Sequence, residues 1–180
     1  MKKITLLMAF LVSAGILFAQ KKTTTSATVA FDATTPKDGL PKAENKTVIG
    51  SINTQTGAVA FEAAVKNFNF SNPKVQEHFN GASWLNSDQF PKITFTGKIE
   101  NADKINFQKD GVYKAKATGD LIVKGISKPA KAEGTITIAN GKIIVLAEMK
   151  VKLEDYAISG QPVEAGKVAK EPKVAVSAEF

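Results

Sequence analysis

The stretch Phe68–Ile99, FNFSNPKVQEHFNGASWLNSDQFPKITFTGKI, governs how the rest of the chain is read. It holds the only Trp (Trp84), the only His (His78) and five of the eleven Phe, with Phe61 just upstream. Asn72-Pro73 has the form of an N-cap followed by proline at the first helical position. Val75, His78 and Phe79 then recur at i, i+3 and i+4, which predicts one apolar face of a short helix ended by Gly81. From Ile93 the period becomes two: Ile93, Phe95, Gly97 and Ile99 share one face, and Thr94, Thr96 and Lys98 the other. An aromatic helix and loop beside a half-buried strand predicts a lid over an apolar interior.

Upstream, the first nineteen residues read as a secretory signal peptide. Lys2-Lys3 supplies the positive start, Ile4–Phe18 the apolar run, and Ala19 a small residue before the cut. The mature chain would run from Gln20 to Phe180 as one domain, without a stable membrane span, in the periplasm or secreted. No Cys follows the apolar run, so lipidation of an N-terminal cysteine is excluded, as are disulfides. All 24 basic residues are Lys, and the chain carries a formal charge of +7. The absence of Arg argues against nucleic acid, whose readout relies on guanidinium forks.

The period of two recurs through the chain. Gln20–Thr25 is polar and expected to fray, and Ala27, Val29 and Phe31 mark a first strand. Thr34–Lys46, with Pro36, Gly39 and Pro41, reads as a loop. Val48, Gly50 and Ile52 form the next strand, and Val59, Phe61, Ala63 and Val65 the one after it. Phe68 and Phe70 are out of step with that face, which predicts a bulge near Asn67. Ile105 and Phe107 suggest a short strand, followed by a hairpin turn at Asp110-Gly111. Further strands are Tyr113–Val123, Ala130–Ile138, Ile143–Leu153 and Val174–Phe180, with Asn140-Gly141 the strongest turn signal. About eight such strands with tight turns and one short helix describe an all-β antiparallel barrel or sandwich.

Many inward positions are small: Ala63, Ala115, Ala117, Gly119, Ala130, Ala132, Gly134, Ala147 and Ala178. A solid core fills such positions with branched or aromatic residues to reach native density. Small residues on facing walls can leave a long hollow; the alternative is that two sheets pack closely there or that large residues opposite fill the gap.

Catalytic signatures are missing. A single His and no Cys build neither a nucleophile–base pair nor the usual zinc sites. His78 falls on the apolar helix face as a packing residue. Glu154-Asp155 is the only adjacent acidic pair and reads as solvated. Gly119, Gly125 and Gly134 are isolated, without a strand–loop–helix phosphate cradle. No cofactor is implied. The chain is expected to bind something apolar and not to act as an enzyme; a hydrolase or isomerase would need a strongly perturbed carboxylate in the interior.

Three segments in order resemble the YceI-like family of exported bacterial proteins: Gln76–Asn80 (QEHFN), Ser87–Gly97 (SDQFPKITFTG) and Gly119–Pro129 (GDLIVKGISKP). Where the family often has an Arg-Asp-Phe-Gly-like segment, Lys152–Ile158 keeps the Asp, an aromatic and a small residue but not the Arg. The resemblance implies a lipocalin-like barrel that holds a polyisoprenoid, isoprenoid quinone or fatty-acyl lipid, as a monomer or homodimer. The expected ligand-binding residues are Phe31, Phe61, Phe68, Phe79, Trp84, Leu85, Phe90 and Phe95, with Tyr113 and Leu121 on the wall. Without Arg, a head group would meet Lys, backbone or hydroxyl groups, so affinity is expected to follow tail length and shape. Loss of Trp84 or Phe90 is expected to weaken every tail alike. The competing expectation is a ligand-free sandwich serving as a structural or protein-interaction module.

Overall fold

A computed structural model describes residues 20–180. The signal-peptide expectation for residues 1–19 lies outside these residues. The elements in chain order are β1 (Lys21–Asp32), β2 (Lys42–Asn53), β3 (Ala58–Ala64), β4 (Asn69–Phe70), α1 (Pro73–Asn80), β5 (Lys92–Ile99), β6 (Gly111–Val123), β7 (Ile126–Ala139), β8 (Lys142–Lys150), α2 (Gln161–Glu164) and β9 (Lys173–Glu179).

Each of β1 to β9 is antiparallel to its neighbours. The sheet order β1-β9-β8-β7-β6-β5-β3-β2 returns to β1 through a β1–β2 ladder, closing an eight-stranded barrel without two separate packed sheets. Closure satisfies the strand edges that an open sheet would leave bare. The ninth strand, β4, adds two residues to β2 beyond the end of β3, pairing Ala43 with Phe70 and Glu44 with Asn69.

The break between β3 and β4 is where the aromatic phase resets. The sequence predicts a bulge there; the chain instead makes a 3-10 turn at Val65–Asn67. The turn opens a gap in the ladder with β2, and Asn45, fully buried, fills it. Its Nδ2 donates to the Ala64 carbonyl at 2.9 Å, and its Oδ1 accepts from the Thr47 amide and hydroxyl, both at 2.9 Å. A buried amide with these partners meets the requirement that interior polar groups be bonded.

Several local expectations are corrected. Lys21–Thr24 does not fray: closure pairs it with Gly50–Asn53 of β2. The first loop is shorter than Thr34–Lys46, because Lys42–Lys46 already belongs to β2. Ile105 and Phe107 form no strand; they follow a 3-10 turn at Ala102–Lys104. Asp110-Gly111 is no hairpin turn, since Gly111 already pairs with Ile138 and the β5–β6 connection is long. Leu153 lies beyond β8 in a 3-10 turn at Leu153–Tyr156.

Asn140-Gly141 does form the β7–β8 turn, with φ of 51° and 78°. Lys124-Gly125, with φ of 52° and 74°, forms an equally tight turn between Val123 and Ile126 that the sequence reading missed. Two consecutive positive φ values match the right-handed twist of the flanking strands. Lysine is an uncommon first residue for such a turn, which hid the signal.

Candidate functional site: an apolar barrel interior

The inner face of the barrel is lined by one cavity of about 150 Å³. Every strand from β1 to β9 except β4 contributes to its wall. Thr135 is the one polar side chain among the lining residues, and none of them is charged. A void of that size with an aliphatic and aromatic lining stays dry, because water there finds too few polar partners.

The small inward residues divide into two groups. Ala63, Ala115, Ala117, Ala132, Gly134 and Ala147 line the cavity, and their short side chains leave it open. Gly119, Ala130 and Ala178 do not line it. Gly119 serves the backbone instead: with Gly97 and Gly134 it marks places where neighbouring strands leave no room for a Cβ. Such glycines let a sheet bend sharply into a closed barrel.

The aromatic stretch covers one end. Asn72 caps α1 by accepting from the Lys74 amide at 2.9 Å. The helix presents Phe79 inward, where its ring meets Phe31, Phe68 and Phe70 at centroid distances of 5.6, 5.6 and 4.8 Å. These tilted arrangements are favoured by the ring quadrupoles. The following loop folds back on the helix. The Leu85 amide donates to the Phe79 carbonyl at 3.2 Å, and the Ser87 amide to the Asn80 carbonyl at 3.0 Å. That return seats Leu85 in the core and Trp84 on the cavity.

His78 is exposed, against the expectation that it packs inward. The inner face of α1 is rotated toward Gln76, Phe79 and Asn80. Gln76 Oε1 accepts from the Phe70 amide at 3.2 Å, and Asn80 Nδ2 donates to the Gln76 carbonyl at 3.0 Å. The Gln76 bond ties α1 to β4, the Asn80 bond lies within α1, and His78 is left on the solvent side.

Of the ten residues expected to bind a ligand, eight surround the cavity: Phe31, Phe61, Phe68, Phe79, Trp84, Leu85, Phe95 and Leu121. Phe90 and Tyr113 do not line it. Phe90 packs over the β6–β7 turn, with its ring against the space where Gly125 lacks a Cβ. Tyr113 packs over Gly111, and its hydroxyl donates to the Lys109 carbonyl at 3.2 Å. The sequence reading did not single out Ile93, Met149, Val151, Val174, Val176, Phe180 and Ile158, all on the wall. The first six lie on inward beats of β5, of β8 and its continuation, and of the last strand, where alternation marks them. Ile158 follows the 3-10 turn and carries no periodic signal.

The acidic pair Glu154-Asp155 is exposed, and Glu154 is paired with Lys152. Among the described residues no group of three or more His, Cys, Asp or Glu is placed to hold a metal. No helix among them is long and apolar enough to cross a membrane.

This geometry recurs in solved structures. BcnA of Burkholderia cenocepacia superposes with a TM-score of 0.72 at 14% identity, covering 86% of this chain and 96% of its own. A polyisoprenoid binding domain from Saccharophagus degradans, implicated in plant cell wall breakdown, gives 0.72 at 12% identity, covering 89% and 97%. The Campylobacter jejuni YceI protein gives 0.50 at 20% identity, covering 88% and 84%. At these identities the likeness is one of fold. No curated protein matches the chain significantly in sequence. The family model for the YceI-like domain matches residues 17–180, and with the closed barrel and its apolar interior this places the chain in the YceI-like family.

Proposed function

We propose that this protein binds the tail of a long-chain amphiphilic lipid inside its barrel, as an exported carrier or buffer in the periplasm or the secreted fraction. The tail is of polyisoprenoid, isoprenoid-quinone or fatty-acyl type. The observation that carries the reading is a cavity walled by every barrel strand and bare of charged side chains. Burial of each CH₂ contributes ~0.8 kcal/mol, so a tail of about ten carbons offsets the cost of association without a polar clamp. The polyisoprenoid binding domain of Saccharophagus degradans, with the same fold, supports this choice of ligand. A binding role without a catalytic step fits an interior that offers no nucleophile, base or perturbed carboxylate.

Native mass spectrometry of the protein purified from its own host tests this. A co-purifying lipid of a few hundred daltons is expected. Protein that stays empty and also ignores added prenyl and acyl chains would overturn the reading and favour a structural role.

A further inference from the structure

The segment Gly125-Ile126-Ser127-Lys128-Pro129 belongs to the family resemblance, yet tail binding leaves its lysine unexplained. Residues paired directly across an antiparallel ladder share one face of the sheet. Lys128 is paired with Leu121, which lines the cavity. On β7 the more buried positions are Ile126, Lys128, Ala130 and Ala132, and the exposed ones are Ser127, Pro129, Lys131 and Glu133. Lys128 therefore occupies an inward position on a wall that is otherwise apolar.

The β-ladder stops short at this place, and the 3-10 turn at Leu153–Tyr156 packs beside β7 instead. The β7–β8 ladder runs only from Ala139–Lys142 to Glu133–Glu148, so Ile126–Ala132 is paired on its β6 side alone. Pro129 lies in this unpaired flank, where its lack of an N–H costs no ladder bond to β8. The cavity-lining residues Ala132, Met149, Val151 and Leu153 border the splay. Lys128 is half-buried and, among the described residues, makes no ion pair or side-chain hydrogen bond, whereas Lys66, Lys92, Lys116, Lys142 and Lys152 each hold a carboxylate. Of the neighbouring charges, Lys124 Nζ donates to the Ala157 carbonyl at 3.3 Å, and Glu154 is held by Lys152.

We propose that Lys128 is the head-group contact of the barrel, its ammonium meeting the phosphate or carboxylate of an amphiphile whose tail fills the cavity, at the splay between β7 and β8. This rests on the tail-binding reading and adds a charge preference to it. A partly desolvated ammonium holds an anion more strongly than an exposed one, because solvent screens it less. Lysine also acts as a point charge, which orients a head group without selecting its shape.

Displacement of the neutral dye N-phenyl-1-naphthylamine by two matched pairs tests the assignment. The pairs are farnesyl phosphate with farnesol and oleate with oleyl alcohol, all below their critical micelle concentrations. The wild-type protein is expected to bind the anionic member of a pair about tenfold more tightly, as a charge-assisted contact provides. A preference in the first pair only identifies a phosphate head, and in the second only a carboxylate. Lys128→Gln is expected to abolish the preference while leaving the affinity for the alcohols unchanged, its melting temperature confirming an intact barrel. Lys128→Arg and Lys131→Gln, the latter on the outward beat, are expected to keep it. A Lys128→Gln protein that retains the preference, or loses acid and alcohol alike, overturns the role of Lys128. Wild-type protein that binds neither alcohols nor acids overturns the tail-binding reading itself.

Discussion

Gly97 stands directly opposite Gly119 across the β5–β6 ladder, and neither has room for a side chain. A Cβ on Gly97 would lie 2.9 Å from the Gly119 Cα, and one on Gly119 would overlap the Thr96 carbonyl oxygen. The obstacles are backbone atoms, which no side-chain rotation removes. Gly119→Ala is therefore expected to destabilise the barrel by roughly 1–3 kcal/mol, the usual cost of forcing atoms into filled space. Urea unfolding midpoints check this, and wild-type stability in the variant would show that the bend is not tight.

Ala117 pairs with Ile99 on one side and Ala132 on the other, and all three line the cavity. Its added volume would point into empty space. Ala117→Leu is expected to leave the unfolding midpoint equal or higher while weakening tail binding by at least about tenfold, or 1.4 kcal/mol. Dye displacement and urea melts on the same sample separate the two effects.

Trp84 and Phe90 are expected to part company. Trp84 lines the cavity, whereas Phe90 covers the Lys124-Gly125 turn. Trp84→Ala should weaken acyl and prenyl tails alike. Phe90→Ala should lower the melting temperature through loss of turn packing and leave tail affinity within about twofold, less than 0.5 kcal/mol. Equal losses of affinity in both variants would place Phe90 on the ligand after all.

The phenol of Tyr156 is held above its ordinary value, first by burial and then by the neighbouring Asp155 carboxylate. Its ordinary pKa is about 10, so the unfolded chain releases this proton before the folded one does. Over that interval the unfolded state binds fewer protons, and stability falls as pH rises through the ordinary value. Below it the contribution is fully present. Tyr156→Phe is expected to lack this share of the alkaline loss, read as urea midpoints measured from about pH 8 to pH 11. A parallel decline in both proteins would mean that the phenol is freely hydrated when folded.

The periodicity of two is a local property of covalent geometry, so strands such as Tyr113–Val123 and the inward set Ala115, Ala117 and Leu121 were legible from the order of residues alone. The cap at Asn72-Pro73 and the turn at Asn140-Gly141 were legible for the same reason, since each is set by residues within a few positions of one another. The aromatic stretch as cover for an apolar interior was likewise legible, because the nine Phe of residues 20–180, with few other large rings beside them, must share their burial. What required the tertiary structure is whatever depends on partners far apart in sequence. Closure of β1 on β2 ordered Lys21–Thr24, polar residues with no local reason to pair. The packing of Phe79 against Phe31, far upstream, fixes the inward side of α1 and leaves His78 outside. Which small residues make the hollow and which make the bends was decided by strand curvature: Ala117 and Gly119 are identical beats of one strand, yet one faces space and the other faces the backbone of Thr96. The end of the β7–β8 ladder at Glu133–Glu148 was also invisible in either strand alone, because alternation fixes the face a residue takes but not the length over which two strands stay together.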